Sequence, residues 1–315
     1  MNEIREQLNN TLDIFDHPEL GTPYKGKVRD VYDLGNKLLM ITSDRVSAFD
    51  KVLSTIPYKG EILNRVANFW FEKTGNEIPN HVIDTPDPQV LIAKKTKPLP
   101  VEVIVRGYIT GSLWRDFEKG AHTRYGIPFA KDLKRDQKFN EPIITPTTKA
   151  EYGEHDEAIS REEIVNGLVD YKIYAKAEEY ALKLFKSGQE WALKKGLILV
   201  DTKYEFGIVD GELILVDEVH TPDSSRYWIE EEYEERFSKG ESQKMLDKEN
   251  IRQWLLDRGY SGDGIAPEIT DDIRIQLSER YIDLYTQLTG SNFETKTGSV
   301  EERILNNLKK AGYLK

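Results

Sequence analysis

The chain of 315 residues contains no cysteine, and its three methionines leave little sulfur of any kind. Disulfides, thiolate metal ligands and thiol nucleophiles are therefore excluded. No apolar run approaches the roughly 18 residues that a membrane span needs. The first residues, Met1 to Glu6, lack the basic-then-apolar pattern of a signal peptide. These absences predict a cytoplasmic protein with no membrane partner.

The chain also has fewer positive than negative charges. It contains 44 Lys and Arg residues and 55 Asp and Glu residues, which give a formal net charge of −11. An acidic chain is not typical of a general nucleic-acid binder, so any phosphate must be held by a few placed cations. Apolar residues make up 38% of the chain, which is enough for a core. The length predicts two domains, or one domain with a large appendage.

The order of the periodic patterns predicts an α+β fold, because strands come first, a helix and a second strand pair follow, and helices end the chain. We place a boundary near residue 105, between a mainly β part, residues 1–105, and an α+β part, residues 106–315. Residues 120–158 have few periodic signals, and a connection of that length is typical of a functional or mobile segment. The predicted strands are 24–32, 37–42, 101–105, 197–206 and 212–219, and the predicted helices are 60–74, 112–119, 160–195, 242–257, 269–288 and 299–310.

The most informative segment is a predicted hairpin that carries charged residues at the ends of two apolar strands. Asp201, Lys203 and Glu205 alternate along the first strand, Asp210-Gly211 forms the turn, and Asp217 ends the second strand. Buried carboxylates are costly without a counter-ion, and Mg²⁺ prefers oxygen ligands. A metal site and an exposed hairpin with ordinary surface charges are about equally compatible with this segment alone.

The hairpin register tests the metal interpretation. A regular two-residue loop pairs Glu205 with Val216 and directs Asp217 to the opposite face. If Glu205 and Asp217 share one metal ion, we therefore expect a three-residue loop or a β-bulge.

Five further segments combine glycine, hydroxyl-bearing and charged residues. In Arg106–Ser112, a guanidinium and a hydroxyl next to two glycines could hold a phosphate, and Lys149 stands beside threonines as a second phosphate ligand. Read alone, each segment also fits an ordinary turn or an edge strand with solvated charges. The five segments are Gly26–Tyr32, Thr42–Asp50, Arg106–Ser112, Thr145–Asp156 and Thr221–Tyr227.

In combination and in this order, the segments resemble the phosphoribosylaminoimidazole-succinocarboxamide synthase (SAICAR synthetase) family of de novo purine synthesis. Residues 60–100 and 240–315 carry no matching motif, and the length resembles the family members that have extra C-terminal helices. The matching stretches are Gly26–Tyr32, Ser43–Asp50, Arg106–Ser112, Thr147–Glu151, Gly153–Asp156, Asp201–Gly207 and Asp217–Arg226.

The resemblance implies a two-lobed α+β fold with an ATP cleft between the lobes, similar to kinase and ATP-grasp sites. It implies a ligase that uses ATP and Mg²⁺ to join L-aspartate to 5-amino-1-(5-phosphoribosyl)imidazole-4-carboxylate. The products are SAICAR, ADP and phosphate, and the intermediate is an acyl phosphate. Residues 1–105 then form the lobe that covers the nucleotide, and residues 106–315 carry the substrate and metal sites.

The motif match also implies roles for individual residues. Lys203 approaches the carboxylate that is activated, Asp201 helps to orient it and is our candidate base for the amine, and the strand near Glu102 offers its backbone to adenine. At the nucleotide the implied residues are Lys27, Arg29, Glu102, Lys149, Glu205 and Asp217, the last two also as Mg²⁺ ligands. At the other substrates they are Asp44, Arg45, Ser47, Asp50, Arg106, Ser112, Ser225 and Arg226.

Two other classes of protein compete with the ligase. A kinase would have a similar nucleotide site, but the chain has no His-Arg-Asp catalytic loop and no Asp-Phe-Gly triplet. A non-catalytic nucleotide-binding module would need the anion sites but not Lys203, Glu205 and Asp217 together. The sequence does not fix the oligomeric state, since no long apolar surface stripe stands out. Packing is the favoured role of residues 240–315.

Overall fold

The computed structural model describes residues 2–49, 51–149, 156–246 and 249–315. Its strands are β1 Tyr24–Lys25, β2 Arg29–Asp33, β3 Lys37–Thr42, β4 Arg45–Ala48, β5 Lys51–Thr55, β6 Val82–Asp87, β7 Val90–Lys94, β8 Lys97–Pro98, β9 Val101–Tyr108, β10 Lys138–Ile144, β11 Thr147–Thr148, β12 Leu197–Val209, β13 Glu212–Val216 and β14 Ser225–Ile229. Its α-helices are α1 Asn2–Gln7, α2 Lys59–Thr74, α3 Gly111–Glu118, α4 Arg161–Gly167, α5 Tyr171–Leu193, α6 Glu230–Lys239, α7 Glu249–Leu256, α8 Asp271–Thr289 and α9 Val300–Lys310.

The first half of the chain forms a five-stranded antiparallel sheet in the order β1-β2-β3-β7-β6. Its central strands β3 and β7 are rich in Leu, Ile and Val, which suits a strand with buried side chains. Leu39, Ile41 and Ile92 pack with Ile304 and Leu308 of α9 in one apolar cluster. The last described helix therefore covers a sheet whose strands lie more than 200 residues earlier in the sequence.

Strands β8 to β14, which lie between residues 97 and 229, form a seven-stranded sheet whose central strands are β9 and β12. β12 pairs with β8, β9, β13 and β14, all antiparallel. The long helix α5 lies on this sheet, and its buried residues Tyr174, Leu184 and Phe185 belong to the largest apolar core. Strand β12 is hydrogen-bonded to its neighbours along much of its length. It is therefore a rigid support for the side chains on the face that α5 does not cover.

The predicted α+β class with C-terminal helices is confirmed. The capping box at Ser160 is also present, with the Ser160 hydroxyl and the Glu163 carboxylate each bonded to the other residue's backbone N–H. The single helix predicted over 160–195 is wrong, because α4 ends at Gly167 and a new helix begins after Asp170. The Asp170 carboxylate accepts hydrogen bonds from the backbone N–H groups of Lys172 and Ile173, and such a cap starts a helix rather than continuing one.

The domain boundary predicted near residue 105 falls inside β9, which runs without a break through residues 101–108. The chain passes from one sheet to the other earlier, between Lys94, where β7 ends, and Lys97, where β8 begins. The division into two domains stays a prediction, and this crossing is the better place for its boundary.

The C-terminal helices pack across the molecule. α8 contacts α1 and α2, and its Leu284, Tyr285 and Leu288 are buried in the largest core. The packing role predicted for residues 240–315 is present in the described part of that segment. No helix within the described ranges is long and apolar enough to cross a bilayer.

The N-cap of α5 gives a prediction about stability. Asp170→Ala leaves two backbone N–H groups without their side-chain acceptor and should lower the free energy of unfolding by about 1 kcal/mol. Urea unfolding followed by circular dichroism measures the change. The control is Asp283→Ala, at an exposed position within α8. It should not lower the free energy of unfolding, since alanine is favoured inside a helix. Equal losses in both variants would contradict the cap.

Candidate active site

One face of β12 carries the charged residues that the sequence singled out. Successive side chains of a strand point to opposite faces, so Asp201, Lys203 and Glu205 share a face. The neighbouring strand β9 is in register, with Arg106 directly opposite Asp201, and it brings Glu102 to the same face. The two strands therefore present one continuous row of charged groups, which has an arginine–aspartate end and a lysine–glutamate end.

The lysine–glutamate end is a compact cluster. The Lys203 Nζ atom lies 2.6 Å from Glu102 Oε1 and 2.7 Å from Glu205 Oε1. The other carboxylate oxygen of Glu205 accepts a hydrogen bond from the Lys149 ammonium, which follows β11. The side chains of both glutamates are largely buried, while that of Lys203 keeps 29% of its surface exposed. The two lysines, Lys149 with 40% of its side-chain surface exposed and Lys203, are thus the groups of this cluster with the most access to a bound molecule.

These contacts shift the protonation equilibria in opposite directions. Burial by itself would lower the pKa of Lys203, but Glu205 and Glu102 outweigh it and hold the pKa well above its usual value. Burial by itself would raise the pKa of Glu205, and Lys203 and Lys149 outweigh it so that this pKa is lowered. At neutral pH the cluster therefore holds a protonated lysine next to an ionised Glu205.

Arg29 of β2 brings the first sheet to this cluster. Its guanidinium pairs with Asp217 at 2.5 Å and with Glu218 at 3.0 Å. Burial raises the pKa of Asp217 to about 6, because Arg29 does not fully offset burial together with the nearby charges of Glu205 and Glu218. Since this folded-state pKa lies above the ordinary 3.8, the Asp217 carboxyl opposes folding increasingly as the pH rises from about 4 to about 6.

The odd loop or β-bulge expected in the hairpin is wrong. Glu205 pairs with Val216, and Val209 pairs with Glu212, so the loop has two residues. Asp210 and Gly211 both have positive φ, of 52° and 80°, as a type I′ turn requires. However, β13 ends at Val216, and Asp217 takes a left-handed conformation with φ of 66°.

The left-handed backbone at Asp217 brings its carboxylate toward Glu205, as an odd register was expected to do. It takes Asp217 out of the alternation of the strand, and its carboxylate reaches Arg29 and comes within electrostatic range of Glu205 and Lys203. The two carboxylates that were predicted to share a metal ion thus belong to one cluster despite the regular hairpin. Among the described residues, no group of three or more His, Asp or Glu side chains is arranged to hold a metal.

The arginine–aspartate end of the row is a pocket suited to an anion. Arg106 Nη1 and Arg226 Nη1 lie 2.9 and 2.6 Å from the same oxygen of Asp201. The Ser112 hydroxyl, in the first turn of α3, lies 3.4 Å from Arg106 Nη2. The Arg226 guanidinium packs so closely on Gly111 that a Cβ atom there would collide with it. Two arginines and one aspartate leave a net positive charge beside a helix N-terminus, and such an environment favours phosphate.

The predicted substrate residues Asp44 and Arg45 are held by protein groups instead. The Arg45 guanidinium is buried, pairs with Asp30 at 2.9 Å, and donates to the backbone carbonyls of Gly26, Lys27 and Asp13. The Asp44 carboxylate accepts from the N–H groups of Leu12 and Gly60, and burial raises its pKa to about 6. Arg45 braces the residues before β2, and Asp44 holds Leu12 and the start of α2, so a direct substrate contact at either one stays a prediction that this geometry disfavours.

The remaining predicted residues differ in their exposure and contacts. Ser47 is buried on β4, and Lys27 is exposed beside β2. Ser225 turns away from Arg226, and its hydroxyl bonds that of Thr202 at 2.7 Å. The backbone around Glu102 lies between β11 and β12, which disfavours the predicted contact with adenine there. Asp50 and residues 150–155 of the Thr147–Asp156 motif lie outside the described residues.

Sequence reasoning missed two members of the site. Glu218 was in the hairpin motif, but its ion pair with Arg29 depends on how two sheets approach each other. Thr145 accepts a hydrogen bond of 2.7 Å from Arg106 Nε and fixes that guanidinium. The only sequence signal for Thr145 was its place in the threonine-rich segment.

A mixed α+β scaffold that sets an arginine pocket and a lysine–carboxylate cluster on one sheet face is typical of an enzyme acting on phosphorylated substrates. Residues 22–268 match the family model described as SAICAR synthetase. The chain therefore belongs to the SAICAR synthetase family, which comprises ligases of purine biosynthesis.

Individual relatives agree with this assignment over almost the whole chain. A phosphoribosylaminoimidazole-succinocarboxamide synthase of Bacteroides fragilis is 49% identical over 300 residues, which is 93% of this chain and 96% of that protein. The SAICAR synthase of Saccharomyces cerevisiae in complex with SAICAR is 36% identical, with a TM-score of 0.80 over 90% of this chain and all of that one. A type-2 SAICAR synthetase in complex with ADP is 27% identical, with a TM-score of 0.66 over 86% and 99% of the two chains.

The anion pocket can be tested without turnover. Arg106→Ala removes one of the two guanidiniums and should weaken the binding of ribose 5-phosphate roughly 10- to 100-fold, as expected for hydrogen bonds to a charged group. Isothermal titration measures the dissociation constant. The control is Arg135→Ala, which removes an exposed guanidinium next to Asp136 and should leave binding unchanged. Equal affinities for the parent and Arg106→Ala would place the phosphate elsewhere.

Proposed function

We propose that this protein joins L-aspartate to the carboxylate of 5-amino-1-(5-phosphoribosyl)imidazole-4-carboxylate at the expense of ATP. The observation that carries the proposal is the spacing of the two pockets. The Arg106–Asp201–Arg226 pocket and the Lys203–Glu205 cluster lie on one face of β12, four residues apart from Asp201 to Glu205. Four residues of a strand span about 13 Å, which suits a ribose phosphate at one end and the reacting carboxylate at the other.

The reaction requires activation because a carboxylate is a poor electrophile. A carboxylate oxygen attacks the γ-phosphorus of ATP, the bond from that phosphorus to the ADP oxygen breaks, and an acyl phosphate forms. The aspartate amine then attacks the acyl carbon and loses a proton, and inorganic phosphate leaves. Phosphoryl transfer needs positioning and charge neutralisation more than covalent help from the protein. The two pockets supply cations and carboxylates for this purpose.

In this proposal Lys203 acts as a fixed positive charge. Its raised pKa keeps the ammonium protonated, so it can stabilise negative charge on the carboxylate or the transferred phosphoryl group but cannot remove a proton. Asp201 orients Arg106 and Arg226, and one of its oxygens is already shared between them. That geometry favours an orienting role over the role of base at the amine.

The lysine–glutamate cluster is suited to the nucleotide phosphates and a divalent cation. Within the part of the chain that the structure describes, the four carboxylates Glu102, Glu205, Asp217 and Glu218 pair with three cations, Arg29, Lys149 and Lys203, and the raised pKa of Asp217 is a sign of that imbalance. Mg²⁺ is commonly held by one or two carboxylates together with phosphate oxygens and water. We propose Glu205 and Asp217 as its ligands, where it would neutralise charge on the transferred phosphoryl group.

The larger architecture of the proposal follows the two sheets. The first sheet, with Arg29, forms a lobe over the nucleotide, and the second sheet carries the substrate pockets. We place the change of lobe at residues 94–97 instead of residue 105, with the ATP cleft between the lobes, as in kinase and ATP-grasp sites. The cytoplasm is the proposed location.

An omission assay tests the reaction class. Phosphate release should require ATP, L-aspartate and the imidazole carboxylate together, because the phosphate comes from breakdown of an acyl phosphate by the amine. Coupled detection of free phosphate measures each omission. A kinase would instead consume ATP and leave phosphate on its product when aspartate is absent. Full ATP consumption without aspartate, and without any phosphate release, would overturn the proposal.

The carboxylates of the cluster give a second prediction. Glu205→Gln and Asp217→Asn should each lower kcat on the order of 10²-fold or more, since they remove preorganised charge from the transition state. Glu212→Gln, at the exposed end of the same hairpin, is the matched control and should keep the kcat of the parent. Near-normal turnover in both site variants would remove them from the metal site.

The raised pKa of Asp217 adds a pH signature to that experiment. Its carboxylate form is lost below about pH 6, so kcat/KM for ATP should fall as the pH drops through 6. Substrate phosphates titrate in the same range, and they do so equally for every variant. The difference between the parent and Asp217→Asn profiles is therefore the observable, and superimposable profiles would contradict the assignment.

A further inference from the structure

Residues 217–226, here called the connecting segment, link the two pockets. Asp217 and Glu218 at its start pair with Arg29, and Arg226 at its end pairs with Asp201. Thr221 is its internal hub, because the Thr221 hydroxyl donates to Glu218 at 2.6 Å and accepts from the backbone N–H groups of residues 223 and 224. The conformation of this segment therefore sets the position of the groups at both of its ends.

The segment is held from outside at Asp223. Lys59 Nζ, at the start of α2, lies 2.8 Å from Asp223 Oδ2, and the Tyr281 hydroxyl of α8 donates to Asp223 Oδ1 at 3.0 Å. The Lys59 side chain has no exposed surface, and that of Asp223 has 5%. Such a buried pair is tolerated only when its remaining hydrogen-bonding sites are satisfied, and Tyr281 fills one of them.

Helix α8 is itself fixed to the segment that precedes α2. The Ser278 hydroxyl donates to the Pro57 carbonyl at 2.9 Å, and Arg274 donates to the carbonyls of Thr55 and Leu8 at 2.7 and 2.9 Å. Ser278 and Tyr281 are three residues apart and so lie on neighbouring parts of one helix face. One face of α8 thus holds both the start of α2, with Lys59, and the connecting segment.

We infer that Tyr281 is a positioning residue for the substrate phosphate pocket. It acts through Asp223, which its hydroxyl and the Lys59 ammonium fix from two sides, and Asp223 in turn sets the place of Arg226 three residues later. The inference rests on the proposed function for its kinetic part only. It gives the C-terminal helices a role in the reaction beyond packing.

The geometry distinguishes positioning from catalysis at Asp223. Each of its carboxylate oxygens is engaged by a protein group, at 2.8 and 3.0 Å, and the side chain is almost fully buried. The ATP end of the segment has an anchor of its own in Arg29. A loss at Tyr281 should therefore affect the Arg226 end more than the Asp217 end.

Tyr281→Phe is the test, because it removes one hydroxyl and keeps the ring in the core. Tyr285→Phe is the matched control, since Tyr285 lies one turn later on α8 and packs by its ring against Phe293. Lys59→Met is less informative, because it leaves Asp223 buried without its ion pair and would destabilise the whole fold.

Two measurements separate the inference from the proposed function. In Tyr281→Phe, the backbone amides of residue 221 and residues 223–226 should exchange with solvent at least tenfold faster than in the parent, while Tyr285→Phe behaves as the parent. In steady-state kinetics, Tyr281→Phe should raise KM for the imidazole carboxylate several-fold, up to about tenfold, and change KM for ATP less than twofold.

The outcomes are distinguishable. Unchanged exchange in Tyr281→Phe would overturn the inference whatever the enzyme does, and so would equal changes in the two variants. Faster exchange together with an unchanged KM for the imidazole substrate would show a purely structural contact and would also overturn it. Failure of the parent to release phosphate with all three substrates would instead contradict the proposed function, and the exchange comparison would still decide whether Tyr281 holds the segment.

Discussion

Compensation of buried charge along one face of β12 is the constraint on which the site depends. Lys203, Glu205 and Asp201 would each be costly in a sheet interior, and each lies within hydrogen-bonding distance of an opposite charge. The partners come from β9, from β14 and from the end of β11. Apart from Lys203–Glu205 within β12, these pairs are made across strands, so the charges are satisfied only when those strands are assembled into the sheet.

The buried charges are not all compensated to the same degree, and this difference allows the site to bind charged ligands. Lys203 and Glu205 reinforce each other's charged forms, whereas Asp217 is left with a pKa of about 6 despite its contact with Arg29. A site with an excess of carboxylate can accept a cation, and a site with paired arginines around one aspartate can accept an anion. The two tendencies lie at opposite ends of one strand face, as a substrate with a phosphate and a reacting carboxylate requires.

The fold was largely predictable wherever a local rule acts. The turn at Asp210-Gly211 needs two residues with positive φ, and Ser160 and Glu163 cap each other within one turn. The break between α4 and α5 was missed, because the apolar periodicity continues across it while the cap at Asp170 ends the continuity. Arg45 was assigned to a substrate because a motif shows which residues occur together, not what surrounds them, and Asp30 and three carbonyls surround it.

By itself, the sequence determined the family and the α+β class, and it named most of the charged residues that the structure brings together, because these depend on residue identity and short-range spacing. Only the tertiary structure decided how they meet. The left-handed backbone at Asp217 directs its carboxylate into the cluster although the hairpin is regular, and Arg29 joins that cluster from another sheet. Tyr281 contacts Asp223, which lies 58 positions away in the chain. These contacts join residues that are remote in sequence, so packing of the complete core selects them and no local pattern records them.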